Sequence, residues 1–379
     1  MEPHFIKGGK YEKWNPLFET MATFAFTPKL VTNKGSHIRD GVDLKRTMMT
    51  VILALIPCLI FGIYNTGHWE YVVANYVPNP DAIEGMARPI SPYFDAMGAK
   101  FLTGLGIVMP VVIVSYGVGL GIEFLFGMIR GHSLHEGFLV SGMLIPLTMP
   151  ADVPLWMVGL ATAFAVIIGK EIFGGTGMNV VNIALTARAF LFFAYPTSMS
   201  GDKVWMSGLG DKMAANPESV DGFSGATALG DLASFMSDKA TVAGEVVQSN
   251  VAVQSFSSEY TAWESFMGMI PGSIGETSTM ACLIGALVLV FTGVGSLRII
   301  LSFFAGGFIM GLLLNAIGGN PYLELPAYYH LIIGGFAFGA IFMATDPVTA
   351  SQTANGKIIY GFLGGFLAIM IRVLNPAYP

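Results

Sequence analysis

Nine apolar stretches divide this chain, and their length limits it to folds that a lipid bilayer can hold. A helix that crosses the hydrocarbon core needs about 20 largely apolar residues, since each adds about 1.5 Å and the core is roughly 30 Å thick. The stretches fall near 46–65, 101–129, 136–150, 154–170, 181–195, 278–294, 296–318, 329–344 and 357–374, several of them short or broken by Gly and Pro. Only 12% of the 379 residues are charged and 53% are hydrophobic, and the mean hydropathy is +0.63, which excludes a water-soluble domain. The predicted fold class is an all-α polytopic membrane protein.

Charge orients the spans. The first apolar run begins near Leu44, too late for a secretory signal, so residues 1–45 are expected to stay cytoplasmic as a basic arm. The arm through Arg46 carries eight of the 19 Lys and Arg residues, and the turns near Arg130, Lys170, Arg298 and Lys357 thread to the same side. The loop from Pro196 to Thr277 holds ten acidic residues and three lysines, which puts it outside, in the periplasm of a Gram-negative cell. The expected division is an arm (1–45), a first membrane half (46–195), an external loop (196–277) and a second membrane half (278–379). A net charge of −6 offers no basic surface for nucleic acid.

Two stretches echo each other: MLIPLTMPADVPLW, a helix and GGTGMNVVN, then IFMATDPVTASQTANGK, a helix and NPAYP. Five helices per half would make an inverted repeat whose broken helices meet at a midplane site. On that reading a tenth helix is expected beyond Pro379. Chance similarity between two Pro-broken helices is the alternative.

The two cysteines, Cys58 and Cys282, each stand alone in an apolar run, as lipid-facing or packing residues. No CxxC cluster and no opposed histidine pair among His4, His37, His68, His132, His135 and His330 suits iron–sulfur or haem, so any redox centre must be organic. In the external loop Ser224-Gly225-Ala226-Thr227 leaves the Thr227 hydroxyl accessible to a large partner; an ordinary N-cap by Ser224 or Thr227 is the other reading. Between Gly169 and Pro196 the glycines, Gly174 and Gly175 among them, permit close approach of backbone to a flat ring. Asn179 and Asn182 offer donors and acceptors to an isoalloxazine or quinone edge, with packing through small residues as the alternative. The acids in or beside the spans are Glu123, Glu171, Glu276 and Asp346. An embedded carboxylate costs about 2.5 to 3.5 kcal/mol on insertion scales, which invites a functional reading. Glu123 lies two turns before Arg130, so it serves a local ion pair or an ion path. Asp346, before the helix-breaking Pro347, resembles a hard-cation site, with a structural role as the alternative.

Taken together, GGKYEKWNPLFE, LVTNKGSHIRDGVDLKR, RGHSLHEGF, KEIFGGTGMN, RAFLFFAYP, DGFSGATAL, GMIPGSIGETST, GGFAFG, FMATDPV and IRVLNPAYP cover the chain from end to end. The chain resembles the family of B subunits of sodium-translocating NADH:quinone reductases. The related D subunits of RNF complexes, which belong to a ferredoxin:NAD oxidoreductase, are similar but match the arm less well. The resemblance implies a subunit of a six-subunit pump in the bacterial inner membrane, with a ten-helix 5+5 inverted-repeat fold similar to urea transporters. Neither GxGxxG after a strand nor ferredoxin-type cysteines occur, which assigns NADH oxidation and the iron–sulfur relay to partner subunits. The resemblance implies FMN joined through its phosphate to Thr227, with Ser224, Gly225 and Ala226 completing the motif. It also implies riboflavin nearer the cytoplasmic side, ubiquinone as acceptor and sodium export, with a path involving Glu123 or Asp346. Family inhibitors of the quinone site contact the arm and a glycine pair upstream of RGH, which here reads Gly119-Leu120, so the second glycine is replaced. The ion, sodium or proton, stays open at this level. A passive channel or solute carrier is the rival from another class, and a structural scaffold for redox partners is a third.

Overall fold

The computed structural model describes residues 44–74, 93–130, 137–199, 205–208, 226–234, 241–242, 245–246 and 249–375. The arm and most of the external loop, with Ser224 and Gly225, lie outside the described residues.

Apolar sequence becomes helix wherever nothing breaks it. Helices α1 (Leu44–Ala74) and α2 (Met97–Arg130) are long and carry a single internal proline each, Pro57 and Pro110. Then come α3 (Phe138–Leu147), α4 (Leu155–Val166) running into a π turn at Ile167–Glu171, and α5 (Ile183–Ala194). Short helices follow: α6 (Ala228–Ser234), α7 (Ser249–Glu259) and α8 (Ala262–Met267). The second membrane part holds α9 (Thr279–Phe291), α10 (Leu297–Ile317), α11 (Pro321–Glu324), α12 (Tyr329–Ile332) and α13 (Phe336–Phe338), which passes into a π turn at Gly339–Met343. It closes with α14 (Ala354–Leu374). Among the described residues the only β-structure is a pair of two-residue strands, Thr241–Val242 and Glu245–Val246. Of these helices α1, α2, α10 and α14 are long and apolar enough to cross a bilayer unaided. Large apolar side chains such as Leu102, Ile113, Leu287, Leu301 and Ile359 point outward from the helices, as lipid contact requires. The chain is an all-helical, multi-pass membrane protein.

Two cores hold it. The first, among α1 to α5, α9 and α13, contains Leu55, Val108, Phe138, Ile145, Val158, Ala187 and Phe338. Cys58 and Cys282 belong to it, buried with their Sγ atoms 3.8 Å apart, so both are packing residues. The second, under α6, α7, α10 and α14, contains Leu232, Phe256, Tyr260, Tyr322 and Ile369. There α10 and α14 touch backbone to backbone: a Cβ on Gly365 would lie 1.9 Å from the Phe303 carbonyl oxygen, and one on Gly306 2.1 Å from that of Phe362.

The expected span 329–344 is broken in two. Ile333 is extended and Gly334 takes φ +65°, a conformation open to glycine, so the helix stops at Ile332 and restarts at Phe336. Backbone groups freed at such breaks must find partners inside the protein. Thr279 Oγ1 accordingly donates to the Ile332 carbonyl at 3.1 Å. The broken end of α3 is served the same way, since Met149 O accepts from Ile274 N (3.1 Å) and Leu147 O from Gly275 N (2.8 Å).

Candidate functional site

Two cavities flank α5. The first, about 860 Å³, is lined by Thr227, Ala228, Arg188, Trp205, Glu276, Gly334, Gly335 and Arg372 among others. The second, about 720 Å³, is lined by Asn179, Asn182, Lys170, Thr176, Asp346 and the start of α1 at Thr47, Met48 and Val51. Asn182 faces one and Arg188 the other, six residues and about 9 Å apart along the helix.

Thr227 is set by a local cap and by the second core. Its Oγ1 accepts from Gly230 N at 3.0 Å and its carbonyl from Asp231 N at 2.9 Å, so it is the N-cap of α6. The capping bond uses one lone pair of the oxygen and leaves the hydroxyl side half-exposed on the cavity. Behind α6, Tyr322 donates to Leu229 O at 2.6 Å, Tyr260 donates to Asp231, and Tyr329 donates to Tyr260 O at 3.1 Å. This network fixes the helix that Thr227 begins. Ala226 beside it is buried.

The opposite wall is charged. Glu276 accepts from Arg188 Nη1 at 2.7 Å and Ser273 Oγ at 2.6 Å, and it rests against Gly335, where a Cβ would lie 2.7 Å from its Oε2. Arg372 Nη1 donates to His330 O at 2.8 Å. Among the described residues, two guanidinium groups and one carboxylate leave this cavity with a positive balance. Asn65 braces the wall: its Nδ2 donates to Ile270 O at 3.0 Å, while Trp69 Nε1 (3.1 Å) and Tyr93 Oη (3.0 Å) donate to its Oδ1. Burial raises the Tyr93 pKa far above that of an ordinary tyrosine, with Tyr64 alongside, so Tyr93 stays protonated and keeps donating.

In the second cavity Asn182 caps α5 through Leu185 N (3.2 Å) and its Nδ2 donates to Asp346 Oδ2 at 3.3 Å. Asp346 also accepts from Val348 N (3.1 Å) and Thr349 Oγ1 (3.0 Å). Asn179 Nδ2 donates to Val181 O at 3.1 Å. Gly174 and Gly175 take φ +118° and +102° and turn the chain behind Thr176, outside the cavity lining. Among the described residues no group of three or more His, Cys, Asp or Glu side chains converges on a point.

Glu123 pairs with Lys170 of the π turn, and Arg130 pairs with Glu171 at 3.1 Å, so the local Glu123–Arg130 pair is not formed. The reason is the π turn, which sets two consecutive residues, Lys170 and Glu171, against α2. One turn before Glu123, Gly119 is buried against Phe138, where a Cβ would lie 1.9 Å from Cζ. Lys170 Nζ lies 6.0 Å from the same ring centroid. Gly119, Phe138, Lys170 and Glu123 therefore form one cluster beside the second cavity, which Lys170 enters. Leu120, the residue after Gly119, is exposed on the outer side of α2.

Three residues lay outside the sequence reading. Trp205 Nε1 and Thr176 Oγ1 are buried polar atoms without a hydrogen-bond partner among the described residues, one in the lining of each cavity. Arg372 is the third. Thr176 lies in KEIFGGTGMN and Arg372 in IRVLNPAYP, but neither string gives those side chains a role, and only the fold brings the three residues to the cavities.

The model of the NQR2, RnfD, RnfE family matches residues 31–379. The B subunit of the Na(+)-translocating NADH-quinone reductase of Chromohalobacter salexigens is 44% identical over 396 residues, covering 100% of this chain and 87% of the relative. That of Stutzerimonas stutzeri is 44% identical over 389 residues (100% and 89%), and that of Azotobacter vinelandii 41% over 392 (100% and 89%). End-to-end similarity at this level, on an all-helical membrane fold with both cavities built from the quoted motifs, establishes that the chain belongs to the NQR2, RnfD, RnfE family.

Proposed function

We propose that this chain is the B-type membrane subunit of a sodium-pumping NADH:ubiquinone oxidoreductase, carrying FMN in phosphoester linkage to Thr227 and riboflavin at the second cavity. When bound, the flavins supply one-electron transfer, with ubiquinone as the final acceptor and sodium export as the coupled work. The observation that carries the reading is Thr227 itself: the half-exposed hydroxyl of the family motif opens on a cavity of about 860 Å³ whose wall is net positive. The orphaned indole N–H of Trp205 adds an aromatic group suited to a flat ring.

The chain's own residues take distinct parts. Thr227 provides the ester oxygen, and Arg188, held by Glu276, contributes positive charge near the phosphate. At the second cavity Asn179, Asn182 and Thr176 offer polar edges to a flavin, while Gly174 and Gly175 shape the turn that presents them. Glu123, through Lys170, and Asp346 border the same space, which supports a sodium path there, and Gly119 belongs to the quinone region. The expected 1–45, 46–195, 196–277 and 278–379 division and the cytoplasmic amino terminus are part of this proposal. So is the 5+5 inverted repeat similar to urea transporters. Its support is the matching breaks after α3 and after the Gly339–Met343 turn, where Asp152 and Asp346 each accept a backbone N–H.

The test is covalent flavin on this chain. Yellow fluorescence that survives SDS and disappears in Thr227→Ala is expected, with quinone reduction by the assembled complex lost alongside. An unmodified Thr227 peptide from mature complex overturns the assignment. The two cavities on either side of α5 favour a solute carrier as the second reading, which predicts a colourless protein.

A further inference from the structure

We infer that Arg372 is the anion-holding residue of the Thr227 site, its guanidinium paired with the phosphodiester that joins flavin to threonine. The inference rests on the flavin assignment above and gives a role to an arginine that the sequence alone leaves without one.

Arg372 sits in the last turn of α14, a helix apolar enough to span the bilayer. A cation at such a position is costly, and it persists where an anion or a set of carbonyls receives it. Among the described residues Arg188 has its carboxylate, Glu276 at 2.7 Å, while Arg372 has none within salt-bridge distance. Its one hydrogen bond is to a neutral carbonyl, His330 O at 2.8 Å. A guanidinium carries five N–H donors in a planar fork, so most of its donor capacity is left over.

Among the described residues the negative charge that reaches it is that of Glu276, which is shared with Arg188. His330 is fully buried beside it. Tyr322 spends its hydroxyl on Leu229 O. Glu276 is taken by Arg188 and Ser273. Gly334 faces the guanidinium without a side chain, and a Cβ there would stand 3.1 Å from Nη2. The approach to the charge is therefore open on the side of the cavity that both Arg372 and Thr227 line.

The charge balance fits one phosphodiester. Among the described residues, Arg188 and Arg372 against Glu276 leave one positive charge on the cavity wall, and a diester phosphate carries one negative charge. Arginine reads phosphate oxygens as a bidentate fork, which a point-charged ammonium does not. Arg372→Lys is thus expected to keep part of the effect, and Arg372→Gln, which can still donate to His330 O, to lose it.

A thermal cycle on the assembled complex tests this, read as the temperature at which half of this chain leaves the soluble fraction in detergent. With Thr227 intact and flavinylated, Arg372→Gln is expected to lower that temperature clearly. In the Thr227→Ala background, where no phosphate is attached, the same change is expected to lower it little or to raise it. Additivity of the two substitutions, with full SDS-stable flavin on the parent chain, overturns the role of Arg372 and leaves the flavin assignment standing. Absence of covalent flavin from the parent chain sinks both together. If Arg372→Gln fails to insert, the cycle is run with Arg372→Lys, where equal shifts in the two backgrounds count against the inference.

Discussion

Glu123 and Lys170 meet as an ion pair sealed between α2 and the π turn that ends α4, both side chains almost wholly buried. The pair joins residues 47 apart in sequence. Next to it stand the Gly119–Phe138 contact and, through Lys170, the cavity that holds Asp346. Charge, packing and cavity are thus parts of one cluster at this end of the bundle.

Removing one partner strands the other in a low-dielectric setting. Glu123→Ala is expected to cost about 3 to 5 kcal/mol in denaturant unfolding of the solubilised protein, because Lys170 is left uncompensated. The double change Glu123→Met with Lys170→Met is expected to recover much of that loss. A double mutant as unstable as the sum of its singles would show that the pair is not the unit that matters.

Gly119→Ala is expected to destabilise by about 1 to 3 kcal/mol, since the new methyl drives into the Phe138 ring and the core is already full. Phe138→Leu in the same chain frees that space and is expected to restore the unfolding midpoint. If inhibitor sensitivity follows Gly119→Ala while the double variant returns to normal, the quinone region and this packing contact are one place. Unchanged inhibition in a stably folded Gly119→Ala protein counts against it.

Much of this architecture was legible in the residues. The spans expected at 101–129, 181–195, 296–318 and 357–374 correspond to α2 (Met97–Arg130), α5 (Ile183–Ala194), α10 (Leu297–Ile317) and α14 (Ala354–Leu374), because apolar length alone decides a helix in lipid. Length does not reveal where a helix breaks at depth. The stop at Ile332 depends on a left-handed Gly334, and GGFAFG contains that signal only for a reader who knows what packs beside it. The pairing of charges was equally hidden. Glu123 has Arg130 close by in sequence, yet a single π turn hands it Lys170 instead. Asn182 and Asp346, 164 residues apart, were each singled out for separate reasons, and their hydrogen bond is a product of the fold.

Close backbone contact makes a sharp contrast between two glycines. Gly365→Ala sets a methyl 1.9 Å from the Phe303 carbonyl oxygen, which cannot rotate away, so α10 and α14 must separate. Gly106→Ala on α2 meets nothing within 4 Å and gains helix propensity of up to about 1 kcal/mol. Heat inactivation of the two variants side by side is expected to show marked loss for the first and none for the second. Equal stability would mean that the α10–α14 contact is looser than its geometry.

Asp346 separates an ion site from a structural cap. Its carboxylate accepts from Val348 N, Thr349 Oγ1 and Asn182 Nδ2, three donors that together pin the turn after the Gly339–Met343 segment. Asp346→Ala removes both acceptor oxygens and with them all three hydrogen bonds, and by the usual value of about 0.5 to 1.5 kcal/mol per hydrogen bond the turn is expected to loosen measurably. Asp346→Asn removes the charge and keeps one acceptor oxygen, for Val348 N; the amide that replaces Oδ2 loses the bond from Asn182 and can donate to Thr349 Oγ1 instead, so the fold is expected to hold with a small loss. If the carboxylate handles a cation, Asp346→Asn raises the sodium concentration needed for half-maximal stimulation of quinone reduction while leaving thermal stability near that of the parent. If it serves as a cap alone, Asp346→Asn keeps the parent's sodium dependence, and only Asp346→Ala is impaired, through instability that lower temperature relieves.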